Sequence, residues 1–217
     1  MILGIDESGR GPVIGDMVIA GVLLPTKESE LDLVQRGVKD SKKLTRKKRE
    51  SLYPHIQRAS AKIVTKIISA SQVDGWRNRG KSLNDLEAKF FSEIIEEAPA
   101  RRVFVDCSDV LTKTFRARIE RDLGRPVPDM VCRHFADDTF PVVSAASVVA
   151  KVVRDRRIGH LNETYGEIGS GYCHDARTLR FLEKCLESDG FFPPIVRKTW
   201  YTASRIREAR SQTRLAE

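Results

Sequence analysis

The sequence predicts an α/β or α+β domain built on one mixed sheet of five strands, flanked by helices and followed by a helical C-terminal extension. Three observations carry that expectation. Short runs rich in Val, Ile and Leu alternate along the chain with longer stretches of helical periodicity. Two of the short runs stop at an acid, Asp6 and Asp106. Beyond about Thr178 the pattern is mostly helical and basic. With 217 residues, 41% hydrophobic and 31% charged, the chain has enough apolar material for a substantial core.

The elements follow in order. Residues 1–5 read as a short buried strand, and residues 17–24 as a second, ended by Pro25 and the polar stretch 26–30. Residues 45–60 are helical, with Thr45 as N-cap. Residues 61–70 alternate around Ile63, Val64, Ile67 and Ile68 as a third strand, and 71–79 form a short helix. Leu83, Leu86, Phe90, Ile94 and Ile95 recur at helical spacing over 82–98, and Pro99 closes that helix. Residues 102–106 are the fourth strand. Residues 109–123 are a helix, with Asp109 as its expected N-cap and Gly124 as its stop. Residues 130–134 are the fifth strand. Residues 141–165 form a long helix whose Ser144, Ala145, Ala146 and Ser147 permit very close packing. The simplest division is a domain of residues 1–165 and a helical part of residues 166–217.

Net charge is +8 and the pI about 9.5, a balance that suits a polyanionic partner. Residues 39–50 hold seven basic and two acidic side chains, and residues 197–214 hold six and one. Such clusters fit an electrostatic footprint for nucleic acid. No apolar run reaches 18 residues, so no membrane partner is expected. The chain opens on a strand-like segment without a basic-then-apolar leader pattern. The four cysteines, Cys107, Cys132, Cys173 and Cys185, form no C-x-x-C pair. They read as free thiols of a reducing, cytoplasmic setting.

The chemistry concentrates at the acids. Asp6 and Glu7 stand at the end of a buried strand, where burial and mutual repulsion both oppose ionisation. A divalent cation removes that cost. Gly9, Arg10 and Gly11 follow, a permissive backbone carrying one guanidinium suited to phosphate. Asp106 ends its strand as Asp6 does. Asp137 and Asp138 lie between the fifth strand and the long helix, where one of them can cap and one can reach the site. Four carboxylates suit two Mg²⁺ or Mn²⁺ ions. Paired ions roughly 4 Å apart stabilise attacking and leaving oxygens in phosphodiester hydrolysis. The four histidines, His55, His134, His160 and His174, read as structural or surface residues.

These motifs resemble the type 2 ribonuclease H family in its archaeal form. The matching stretches run from Gly4-Ile5-Asp6-Glu7-Ser8-Gly9-Arg10-Gly11-Pro12 through Asp40-Ser41-Lys42-Lys43-Leu44, Asp106 and Ala136-Asp137. They continue with Val143-Ser144-Ala145-Ala146-Ser147, Ala150-Lys151, Arg154-Asp155 and Gly169-Ser170-Gly171-Tyr172, and Trp200-Tyr201-Thr202 is similar too. The resemblance implies a ribonuclease H-like sheet and a metal-dependent endonuclease; separately, nothing in the sequence suggests an obligate assembly, so a monomer is expected. The endonuclease's substrates would be RNA–DNA hybrids and duplex DNA with embedded ribonucleotides, cut to leave 5′-phosphate and 3′-hydroxyl ends. It makes Asp6, Glu7, Asp106 and Asp137 the catalytic and metal-holding acids, Asp137 being preferred to Asp138 for standing seven residues before Ser144. It assigns Gly9, Arg10 and Gly11 to reading the 2′-hydroxyl, Tyr172 to stacking at the RNA–DNA junction, and Ser41, Lys42 and Lys43 to holding phosphate.

The sequence departs from the family pattern at three places: Cys173 stands where proline is usual, Phe135 where lysine is common, and Asp138 doubles the acid beside Asp137. The tail at 212–215 is only a fragment of a sliding-clamp motif, so clamp binding is not expected. The alternatives are another nuclease on the same sheet, such as a Holliday junction resolvase, an actin-like phosphotransferase, and a non-catalytic nucleic-acid-binding module.

Overall fold

The computed structural model describes residues 1–38 and 44–216. The chain falls into two compact units. The first comprises Met1–Ser8, Val18–Ile67 and Leu83–Val153; the second comprises Gly9–Met17, Ile68–Ser82 and Arg154–Glu217. The second is therefore larger than a C-terminal part starting at residue 166, for it recruits two earlier segments.

The first unit is built on a five-stranded mixed sheet. Its strands are β1 (Ile2–Ser8), β2 (Met17–Leu24), β3 (Lys62–Ile68), β4 (Arg102–Asp106) and β5 (Met130–Arg133), in the order β3-β2-β1-β4-β5. β1 runs antiparallel to β2 and parallel to β4, and β4 runs parallel to β5. β1 extends past the expected residue 5 because its pairing with β2 continues to Ser8 opposite Val18.

Cross-strand partners share a face, so the register sorts the sheet into two sides. Leu3, Ile5 and Gly21 share one side, and a Cβ at Gly21 would lie 2.3 Å from Cγ2 of Ile94. Ile94 belongs to α4 (Leu83–Glu97), which covers that side. Gly4, Asp6 and Phe104 share the other. There a Cβ at Gly4 would lie 2.4 Å from the backbone of Val142, in the first turn of α7 (Pro141–Tyr165). Gly4 and the small residues of α7 thus make one close helix–sheet packing. Val142, Val143, Ala145, Ala146 and Val149 complete it against Val22 and Phe104.

Three local expectations are corrected. Residues 27–35 form a helix, α1 (Lys27–Gln35), capped by Thr26, where the sequence reads as a polar loop. Leu33 is its one fully buried residue, too little apolar periodicity to announce a helix. The helix after β4, α5 (Thr112–Leu123), starts later than expected, and its N-cap position is Leu111. Asp109 does not cap it: one carboxylate oxygen accepts from Val110 N–H at 2.8 Å and the other faces Arg118 at 3.4 Å. A four-residue helix, α6 (Ala136–Thr139), precedes α7. The remaining helix of this unit is α2 (Arg46–Ala59).

The second unit has its own core. Val13, Ile14, Ile168, Leu182, Phe192 and Val196 are buried together, with Trp200 and Ile206 packed against them. It contains α3 (Ala70–Asn78), α8 (Ala176–Ser188) and α9 (Tyr201–Ala216). Residues 13–15 pair with 195–197: Ile14 bridges Val196, Gly15 N–H donates to Ile195 O, and Arg197 N–H donates to Val13 O, both at 2.8 Å. All four cysteines are free. No helix among the described residues is long and apolar enough to cross a membrane.

Candidate active site

β1 and β4 lie side by side and parallel, with Ile5 opposite Val105. Asp6 and Asp106 follow these partners along the two strands, and their carboxyls lie within electrostatic range of each other. The Asp106 carboxylate accepts the backbone N–H of Ala136 at 2.8 Å, which ties the start of α6 to the end of β4. Asp137 follows immediately and is buried, 2% exposed, whereas Asp138 is exposed. Phe135 ahead of them adopts φ 54°, a left-handed conformation uncommon for a bulky residue. This turn carries Asp137 inward.

Ser147 and Lys151, one turn apart on α7, complete the surroundings of Asp6, and Lys151 Nζ donates to Ser147 Oγ. The Asp6 carboxyl is pushed up to about 7. Burial is the main cause. Lys151 opposes it, Asp106 adds to it, the Ser147 hydrogen bond opposes it, and Asp137 adds again. Two further acids thus lie within electrostatic range of Asp6, whose own negative charge is costly there. Glu7 is half-buried, and its backbone N–H donates to Asp6 Oδ1 at 2.7 Å. As the next residue of β1, its Cβ leaves toward the opposite face. Among the described residues no three His, Cys, Asp and Glu side chains are drawn into a finished metal cage. The donor chemistry nonetheless fits a hard cation: oxygen ligands only, and an Asp6 carboxyl whose pKa burial raises.

Backbone hydrogen bonds join the two segments of the second unit that carry predicted substrate residues. Gly9 has φ +89°, and a Cβ there would meet Nε of Arg154 at 2.5 Å and the Asp16 carbonyl at 2.7 Å, so only glycine fits. At Gly11 a Cβ would meet nothing within 4 Å, which leaves that backbone open to a ligand. The Gly171 carbonyl accepts from Val13 N–H at 2.9 Å and Ile14 N–H at 3.1 Å. Tyr172 is therefore anchored to the segment that carries Gly9, Arg10 and Gly11. Its ring is half-buried, 5.2 Å from the Arg154 guanidinium and 5.5 Å from the His174 ring. Ser41, Lys42 and Lys43 lie outside the described residues.

Several contributors carry no assignment from sequence. Ser147, Lys151 and Arg154 fall inside the matched motifs, and that is their only signal. Arg197 reads as the first residue of a surface basic cluster but is fully buried, so it is no part of an electrostatic footprint. His134 is tied to structure, its Nδ1 3.1 Å from the Cys107 carbonyl.

A mixed sheet with this strand order, acids on adjacent parallel strands and a further acid on the following helical turn define a nuclease of the ribonuclease H class. Comparison with known proteins narrows the class. The ribonuclease HII family model matches residues 3–203, and the chain belongs to that family. Ribonuclease HII of Methanosphaera stadtmanae is 42% identical over 205 residues, 94% of each chain. That of Thermococcus kodakarensis is 42% identical, over all of this chain and 93% of the relative. Ribonuclease H2 from Pyrococcus horikoshii superposes with a TM-score of 0.87 at 38% identity, covering 96% of this chain and 97% of that one. Ribonuclease HIII in a manganese complex shares the fold, with a TM-score of 0.84 at 18% identity over 97% of this chain and 70% of that one. The protein is a type 2 ribonuclease H, an endonucleolytic phosphodiester hydrolase.

Proposed function

We propose that this protein cuts the RNA strand of RNA–DNA hybrids and cuts at single ribonucleotides embedded in duplex DNA, leaving 5′-phosphate and 3′-hydroxyl ends. The observation that carries the reading is the convergence of Asp106 and Asp137 on Asp6, from two neighbouring strands and a helical turn. Together with Glu7 they would hold Mg²⁺ or Mn²⁺, two ions in the full reaction. Such ions supply an activated water and neutralise charge on the scissile phosphate.

The chain's own residues do the rest. Asp106 fixes the turn that carries Asp137. Lys151 and Ser147 hold the Asp6 carboxylate in place. Gly9, Arg10 and Gly11 present backbone to the 2′-hydroxyl, the group that separates RNA from DNA. Tyr172 offers an aromatic face at the RNA–DNA junction, and Ser41, Lys42 and Lys43 hold phosphate. The second unit, not only its C-terminal helices, serves as the substrate-binding part. The enzyme acts as a monomer, and its free thiols suit a reducing cytoplasm.

A duplex with one ribonucleotide in otherwise DNA strands tests the reading. Cleavage at one mapped bond, abolished by chelator and restored by Mg²⁺ or Mn²⁺, is expected. Cleavage that persists in chelator, or cutting of a four-way DNA junction in place of the ribonucleotide duplex, would overturn it and favour a junction resolvase.

A further inference from the structure

We propose that Arg197, assisted by Trp200, is a positioning residue that sets the shape of the Gly9–Gly15 loop and through it the enzyme's preference for a ribonucleotide. This rests on the reading of Gly9, Arg10 and Gly11 as the 2′-hydroxyl contact.

Among the described residues, Arg197 is the largest fully buried side chain. Burying a guanidinium costs several kcal/mol unless its donors are satisfied. Here they are spent on one loop. Nη2 donates to the carbonyls of Gly9 at 2.6 Å and Gly15 at 3.0 Å, Nη1 to that of Arg10 at 2.8 Å, and Nε again to Gly15 at 3.1 Å. The indole N–H of Trp200 takes the next carbonyl, Gly11, at 3.0 Å. The Trp200 ring lies 4.9 Å from the Arg197 guanidinium and 5.2 Å from that of Arg77. Arg197 is itself anchored by its N–H to Val13.

The consequence follows from peptide geometry. A trans peptide is planar, so its N–H points opposite to its C=O. Fixing the carbonyls of Gly9 and Arg10 therefore aims the N–H groups of Arg10 and Gly11 away from the guanidinium. Gly11 also lies where the backbone is open. A cation on the carbonyl side polarises these peptides and strengthens their N–H groups as donors. Burial and neighbouring Arg154 lower the Arg197 pKa to about 10, which leaves the side chain charged at neutral pH. A fork is required, because a lysine ammonium at the same place is a single point and cannot hold the carbonyls of residues 9, 10 and 15 in one plane.

The test is binding in chelator, so that no cleavage intervenes. Wild type, Arg197→Lys and Trp200→Phe are titrated against an all-DNA duplex and the same duplex with one ribonucleotide. Thermal melts of the three proteins establish that they fold. Wild type should prefer the ribonucleotide duplex. Arg197→Lys should hold its all-DNA affinity within about twofold while the preference collapses toward unity. Trp200→Phe, which loses one donor but keeps the ring, should lose a smaller part. An undiminished preference in Arg197→Lys, or equal weakening on both duplexes, overturns the assignment. If Arg197→Lys does not fold, an undiminished preference in Trp200→Phe overturns it instead. Equal affinity of the wild type for both duplexes would instead sink the reading of the loop itself.

Discussion

The two units solve opposite electrostatic problems. The first buries carboxylates: Asp6 and Asp137 are at most 4% exposed, and the Asp6 carboxyl is pushed up to about 7. The second buries guanidiniums: Arg197 is fully buried and Arg154 is 5% exposed. The arginine charge is answered internally, by carbonyls that the fold must place anyway. The Asp6 charge is answered only in part: burial raises its pKa most, Lys151 and Ser147 oppose that, and Asp106 and Asp137 add to it. A site left under strain by its own fold awaits a ligand of opposite charge, whereas a satisfied buried charge organises backbone. On the proposed reading the first unit carries the chemistry and the second the recognition.

Substitutions can break that division. The largest effect belongs to Asp6→Asn, expected to lower cleavage by about a thousandfold or more, the several kcal/mol that a positioned metal ion contributes. Hybrid affinity should survive, because basic surfaces supply most of it. A single-turnover assay beside a binding titration checks both; cleavage near the wild-type rate would remove Asp6 from the mechanism.

The same variant sharpens the comparison through stability. In the folded chain the Asp6 carboxyl keeps its proton up to about pH 7, while the unfolded chain releases it near the ordinary 3.8. Between those values the folded state holds the extra proton, so stability falls as pH rises through the window. The total is on the order of a few kcal/mol. In chelator, Asp6→Asn should melt higher than wild type at pH 8 and show a flatter pH dependence from 4 to 7. Added Mg²⁺ should stabilise the wild type more than the variant. A variant that melts lower than wild type at pH 8 contradicts the strained-acid picture.

Gly4→Ala attacks the packing that places Asp6. Its new methyl group meets Val142 backbone at 2.4 Å, an overpacking that costs about 1–3 kcal/mol. For a chain of this size the melting temperature should drop by about 2–12 °C, and cleavage should fall with it. Tyr172→Ala, in the other unit, should leave the fold intact and weaken binding at an RNA–DNA junction by about 1–3 kcal/mol, the worth of one stacked contact. Smallest of all, the exposed Asp138→Asn should stay within a few-fold of wild-type cleavage, while Asp137→Asn is disabling. Equal effects at 137 and 138 would place the fourth acid wrongly.

How much of this was legible in the sequence depended on the kind of signal. Asp6 and Asp106 were readable because each ends a short apolar run, and an acid at the end of a buried strand is physically conspicuous. Asp137 rested on resemblance, since Asp138 is the same residue one position on; burial separates them. α1 escaped notice because one buried leucine makes no periodicity. Asp109 looked like a cap, but its oxygens are engaged by Val110 and Arg118. Arg197 was misread outright: among neighbouring basic residues, a buried arginine and a solvated one look alike.

The sequence by itself determined the five strands, the long helix, the acids that follow the apolar runs of β1 and β4, and the family. Those features are written in local patterns of apolarity and charge, which neighbouring residues suffice to express. Tertiary structure alone decided that Asp6, Asp106 and Asp137 crowd together, that Glu7 starts from the opposite face, and that Arg197 grips the Gly9–Gly15 loop. Each of these depends on strand register or on contacts between residues as many as 188 positions apart, and burial at that range is a property of the folded chain.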